Sequence, residues 1–246
     1  MNGDYLFSFE NISPRFSIKI IFHLLLFRLQ KINSIQSLLG QTDIYLIDQI
    51  LKGRYNDNDS ILDAGCGQGR NMHWFLQNNY NITGIDISEE NIRDLKAIHP
   101  GLPPNRLMVS AVEKTLFPDN HFKHIICSAV LHFANSTAHF NKMMTEIVRI
   151  LKPGGSIFIR MTSDIGIENK VEHIAEGVYL IPDGSKRFLL TKSLLAECMR
   201  QNNISFIEPI KTVNVNDVRC MSTLLLQKYK RPIPGQKNCK KNGIIH

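Results

Sequence analysis

The sequence predicts an α/β domain on a doubly wound, mostly parallel seven-stranded sheet with a C-terminal antiparallel hairpin. Three observations carry this. Short apolar runs alternate with amphipathic stretches from about Thr42 to Lys228, the pattern of strands joined by crossover helices. Residues 61–71 read ILDAGCGQGRN, an apolar strand end that breaks into glycine at alternate positions. The last two apolar runs follow one another with no helical segment between them, so they should turn back on each other. A chain of 246 residues with 43% hydrophobic content has enough apolar side chain for a sizeable core.

The elements follow in order. Thr42 to Lys52 (TDIYLIDQILK) reads as a helix capped by Thr42 or Asp43 and stopped by Gly53. Ser60–Ala64 is the first strand, Asn71–Asn78 the first crossover helix and Asn81–Ile87 the second strand. Ser88 caps the next helix, and Glu89 and Glu90 in its first turn suit the helix dipole. Arg106–Val112 and Phe122–Ser128 form the third and fourth strands. A helix over His139–Leu151 meets the turn Lys152-Pro153-Gly154-Gly155, which feeds a fifth strand at Ser156–Met161. Thr191 caps a helix over Lys192–Gln201, and the hairpin pairs Ile204–Val213 with Arg219–Gln227.

Three regions result: an N-terminal amphipathic segment or lid (1–41), the α/β domain (42–228) and a basic tail (229–246). Ile18, Ile21, Phe22, Leu25 and Leu29 share one helical face. The stretch is too short and too charged to span a membrane. It predicts a helix packed on the domain or lidding a site, with peripheral membrane contact through residues 18–29 as the alternative. The formal net charge of +7 comes largely from the tail, which carries lysines and an arginine but no acid. The rest is nearly neutral, which argues against nucleic acid as a partner. Five cysteines without C-x-x-C spacing exclude a disulfide framework or a zinc site, predict no bound metal, and suit a cytoplasmic protein.

The glycine run points to chemistry. Glycine admits positive φ and close approach to a ligand, and the helix N-terminus behind it offers N–H groups. A dinucleotide fingerprint needs a third glycine where Arg70 stands. The pattern D-x-G-x-G-x-G from Asp63, followed by Asp86 at the end of the next strand, instead resembles class I S-adenosylmethionine (SAM) dependent methyltransferases. GQGRN and the compact length resemble the small-molecule type 11 group. The resemblance runs from about Thr42 to Lys228 and implies a Rossmann-like domain with SAM as cofactor.

It also implies roles. Asp86 would take the ribose diol, and backbone groups of Ala64, Gly65, Cys66, Gly67 and Gly69 the amino-acid portion. Asp63 would hold the loop and the ammonium, and Ile87 would face the adenine. Cys127 and Ser128, at the end of the fourth strand, would supply carbonyls to the ammonium. In RLMVSAVEKTLFPD (residues 106–119) Ala111 stands where the family often has Asp. It has no acceptor for the adenine amino group, which leaves the Val112 backbone or Glu113. His132 is the candidate catalytic base, with ordering of its loop as the competing role. The implied reaction is in-line methyl transfer to a small-molecule acceptor, which leaves S-adenosylhomocysteine (SAH). The absence of an N/D-P-P-Y/F loop after Cys127 argues against methylation of base amines. A SAM-binding regulatory protein without turnover, or a methyltransferase acting on RNA or protein, is the alternative reading. Thr162–Leu190, a polar and aromatic insertion, suits a lid that selects the acceptor.

Overall fold

The computed structural model describes residues 35–230. Internal contacts divide the chain into Met1–Gly40 and Gln41–His246. The described part of the first unit holds one short helix, α1 (Ile35–Leu39). The amphipathic stretch 18–29 and the tail from residue 231 onward lie outside the described residues.

The second unit contains α2 (Ile44–Leu51), β1 (Ile61–Ala64), α3 (His73–Gln77), β2 (Ile82–Asp86), α4 (Glu89–Ile98), β3 (Leu107–Val109), β4 (Phe122–Ser128), α5 (Thr137–Ile150) and β5 (Leu151–Thr162). It continues with β6 (Glu172–Ala175), β7 (Val178–Leu180), β8 (Lys186–Phe188), α6 (Lys192–Asn202), β9 (Ile204–Phe206), β10 (Lys211–Val215) and β11 (Arg219–Lys228). The main sheet runs β10-β11-β5-β4-β1-β2-β3. The strands from β3 to β5 are parallel, and β11 enters antiparallel beside β5. Mostly parallel order with a late antiparallel strand matches the predicted architecture.

Period-2 alternation sends side chains to opposite faces. In β4, Ile125 and Cys127 face the core under α5 and α6. Ile126 between them faces the core of Leu46, Phe75, Ile92 and Leu95 from α2, α3 and α4. Both faces are covered, which is why these strands read as nearly continuous apolar runs.

The caps do what their residue types allow. Asp43, Ser88, Ser136 and Thr191 accept N–H groups from the first turns of α2, α4, α5 and α6. At the other end of α5 the ammonium of Lys228 donates to the carbonyls of Val148 (2.7 Å) and Leu151 (2.8 Å) and to Asn120 Oδ1 (2.9 Å). Replacing Lys228 with Met should cost about 1–2 kcal/mol, because these acceptors lose a charged donor in a half-buried place. Urea unfolding of the purified variant measures this directly.

Three expectations change. The single strand expected over Ile204–Val213 is split. β9 and β10 both pair with β11, with four residues between their last registered pairs opposite two on β11. Pro209 lies in the bulged segment and has no N–H to give the ladder. The insertion expected as a lid loop is a three-stranded antiparallel sheet, β6-β7-β8. Its tight turns use Gly177 and Gly184, both at positive φ. The third strand is shorter than expected, since the chain turns after Val109.

Candidate functional site

The glycine loop is built by backbone geometry. After β1, the N–H groups of Gly65 and Cys66 both donate to the Ile85 carbonyl at 2.8 Å. Gly65, Gly67 and Gly69 all have positive φ. A Cβ on Gly65 would collide with Val130, and one on Gly69 would sit 2.6 Å from Leu95 Cδ2. At those two places glycine is demanded by conformation and by space together. Gly67 faces open space.

Asp86 ties the loop to the end of β2. Its Oδ2 accepts the Gly67 N–H at 2.8 Å, and its Oδ1 accepts the Ser88 N–H at 2.9 Å and the Asn91 side chain at 3.3 Å. A carboxylate has about four acceptor sites, so capacity remains for a ligand.

Above this floor opens a cleft of about 460 Å³ lined by Gly65, Gly67, Asp86 and Ile87 on one side. The turn after β3 contributes Ser110, Ala111, Val112 and Glu113. The segment after β4 and the start of α5 contribute Ala129, Val130, Phe133, His139 and Met143. Ile87 and Phe133 are 75% and 63% exposed although apolar. Such side chains at a cleft mouth offer flat surface to a ring.

The segment before α2 pins the loop from behind. Thr42 Oγ1 donates to the Arg70 carbonyl (3.1 Å), and the Asp43 N–H donates to Asn71 Oδ1 (3.1 Å). The Asp43 carboxylate is fully buried and takes the Arg160 guanidinium at 2.8 Å, the Ser128 hydroxyl at 3.4 Å and Arg70 at 3.9 Å. The exit of the glycine loop is thereby locked to the ends of β4 and β5.

Of the residues singled out from sequence, Gly65, Gly67, Asp86, Ile87, Val112 and Glu113 line the cleft. Asp63, Ala64, Cys66, Gly69, Cys127 and Ser128 lie buried behind it. Burial raises the Asp63 carboxyl to about 7, with Asp86 adding and Arg70 opposing. Its Oδ2 is buried with no hydrogen-bond partner, which is costly for a carboxylate unless a ligand donates to it. Burial also pushes the Cys66 and Cys127 thiols up, so both remain protonated packing groups.

His132 is placed otherwise than a base facing an acceptor would be. It is buried outside the cleft lining, and its Nδ1 lies 3.4 Å from the Thr162 N–H and 3.2 Å from the Thr162 hydroxyl. Burial, reinforced by Arg187 and Arg219, lowers it to about 4. It is therefore neutral at physiological pH, and its ring joins the turn Leu131–Phe133 to Thr162 at the end of β5. Trp74 is half-buried and packs against the core, edge-on to Phe75 and tilted against Tyr80.

Sequence reasoning missed Ser110, Ala129, Val130, Phe133, His139 and Met143. Ala129 adopts φ +62°, held by its N–H on the Arg160 carbonyl at 2.7 Å. That strained corner aims Val130 at Gly65 and Phe133 at the cleft, and no residue type at position 129 announces it. Among the described residues there is no His, Cys, Asp and Glu group that could hold a metal ion. No helix there is long and apolar enough to cross a membrane.

The profile of a family described as "Methyltransferase domain" matches residues 62–159. The chain is 32% identical over 100 residues to a ubiquinone biosynthesis O-methyltransferase of Colwellia psychrerythraea, a match covering 40% of this chain and 39% of that protein. It thus spans well under two thirds of the length of the curated relatives it matches. A SAM-dependent methyltransferase of Methanosarcina mazei has the same fold with a TM-score of 0.62 at 20% identity, over 74% of this chain and 98% of that one. The 1,6-didemethyltoxoflavin-N1-methyltransferase of Burkholderia thailandensis, solved with 1,6-didemethyltoxoflavin and SAH bound, gives 0.58 at 16% identity, over 90% and 93%. The profile match begins in the strand that feeds the glycine loop and ends in β5, so the part of the chain that resembles a methyltransferase domain is the part that builds the loop, the end of β2 and the cleft.

Proposed function

We propose that this protein transfers the methyl group of SAM to a small-molecule acceptor. The observation that carries the reading is the cleft that sets Asp86 and an exposed Ile87 beside a positive-φ glycine loop, with an unpartnered buried oxygen of Asp63 behind. These residues fit the parts of SAM. Asp86 accepts from the ribose diol, Ile87 and Val112 flank the nucleobase, and Asp63 meets the ammonium. Bound SAM would supply a methyl carbon already activated on a sulfonium, open to in-line attack by the acceptor's lone pair.

The chain's own task is then positioning and exclusion of water. The Asp43–Arg160 lock holds the loop, and Val130 and Phe133 present apolar surface at the cleft. With His132 neutral and outside the cleft, no side chain is assigned as general base. Acceptors nucleophilic without one are favoured, such as a thiolate, an amine or an already ionised oxygen. The relatives named as small-molecule methyltransferases support the acceptor class. The described cysteines are free thiols, in keeping with a cytoplasmic setting.

The test is an acceptor screen of metabolite fractions with SAM, read by release of SAH. Acceptor-dependent SAH formation is expected. Tight SAM binding without turnover on any fraction would instead favour a regulatory SAM-binding protein.

A further inference from the structure

We infer that His139 is a positioning residue for nucleobase recognition: it holds the Glu113 carboxylate in the cleft to accept the exocyclic amino group of adenine. The inference rests on the reading of the cleft as a SAM site. It assigns a role to a histidine on a different element from the glycine loop and from the turn after β3.

Ala111 creates the need. It lines the cleft and offers no side-chain acceptor. Glu113, two residues on, lines the same cleft and is the carboxylate nearest in sequence to the Val112 surface. The turn that carries it is fixed at both ends. The Ser110 N–H donates to the Asp86 carbonyl at 2.9 Å. The N–H and hydroxyl of Thr115 donate to Glu146 Oε1 at 2.8 and 2.6 Å, and Glu146 is itself held by Arg149. Between these anchors, among the described residues, the Glu113 carboxylate faces the imidazole of His139, whose Nε2 lies 3.6 Å from Oε1.

His139 is oriented for this. It sits in the first turn of α5, where its own N–H is taken by the cap Ser136 at 3.1 Å. Its Nδ1 accepts the Asn135 N–H at 3.3 Å. That bond leaves the ring hydrogen on Nε2, the atom that faces Glu113. One carboxylate oxygen then faces the imidazole N–H and the other is left for a donor in the cleft. Both side chains are partly exposed, at 26% and 32%. Without the imidazole the flexible Glu113 side chain has nothing to keep it from rotating into water.

An oriented carboxylate accepts and cannot donate. It suits the 6-amino group of adenine and opposes the 6-oxo group of hypoxanthine, where two acceptors would face each other. Selectivity at that edge of the base is therefore the diagnostic readout.

The experiment is calorimetric titration of the full-length protein with SAH and with S-inosylhomocysteine, which differ at the 6-substituent and in the hydrogen that hypoxanthine carries on N1. Wild type should prefer SAH by tenfold or more. His139→Ala should weaken SAH about tenfold while barely moving S-inosylhomocysteine, so that the preference collapses. His139→Gln, which keeps a donor at similar reach, should restore most of it. Glu113→Gln should shift preference toward the 6-oxo ligand, because the amide can donate. If His139→Ala weakens both ligands equally, or changes neither, the inference is overturned and His139 merely shapes the helix start. If wild type binds neither ligand, the SAM reading itself fails. Thermal unfolding of each variant separates loss of fold from loss of selectivity.

Discussion

Replacing Asp86 with Ala is expected to raise the dissociation constant for SAH by roughly 100-fold or more, the largest single effect on binding among the substitutions considered. Two contributions add. The carboxylate would lose two charge-assisted hydrogen bonds to the ribose diol, each worth about 1.5–3 kcal/mol, and about 2.7 kcal/mol is already 100-fold. The loop would also lose its tie, because the Gly67 and Ser88 N–H groups both end on this side chain. Asp86→Asn separates the two, since its amide oxygen can keep one loop N–H while the charge is gone. Calorimetry on both variants should place Asn between wild type and Ala. An unchanged constant in Asp86→Ala would remove the ribose assignment.

Asp63→Asn should move stability and binding in opposite directions. Buried Asp63 ionises at about 7 in the folded protein, against the ordinary aspartate value of 3.8. The folded state therefore keeps a proton that the unfolded chain has already released. Stability associated with the protonated carboxyl is complete below about pH 4 and falls as pH rises through 7. The neutral Asn escapes this loss, so the variant without ligand should match wild type near pH 4 and exceed it at pH 8 by on the order of 2 kcal/mol. Urea unfolding at the two pH values measures the difference. The same change should weaken SAH about 10- to 100-fold at pH 8, because an amide cannot balance the ligand's ammonium. Binding to wild type near pH 6 should also release protons, visible as a heat that depends on the ionisation enthalpy of the buffer. A variant less stable at pH 8, with wild-type affinity, would leave Asp63 as a loop-fixing side chain alone.

Much of the fold is legible because covered parallel strands leave long apolar runs, and the runs here stop at Asp63 and Asp86, where the sheet ends. The caps at Ser88 and Thr191 are legible for the same local reason, since a short side-chain oxygen precedes an amphipathic stretch. What escapes is decided by tertiary geometry. The strands β6 to β8 are only three or four residues long, and β6 is wholly exposed, so no burial pattern marks them. The split at Pro209 depends on β11 serving as partner to both halves.

In the site, the glycine loop and Asp86 lie at the ends of two consecutive strands, β1 and β2, and can be read locally. The opposing surface cannot. His132 and Phe133 are neighbours in one tight turn, yet one is buried on Thr162 and the other faces the cleft. That choice follows from the positive φ of Ala129. His139 reaches Glu113 only because α5 packs beside the turn after β3.

The most direct test is a crystal structure of the protein with SAH bound. The ribose hydroxyls should lie within hydrogen-bond reach of the Asp86 carboxylate, the nucleobase between Ile87 and Glu113, and the amino-acid end toward Asp63. Density for the nucleoside elsewhere, or a glycine loop that admits only a pyrophosphate, would contradict the assignment.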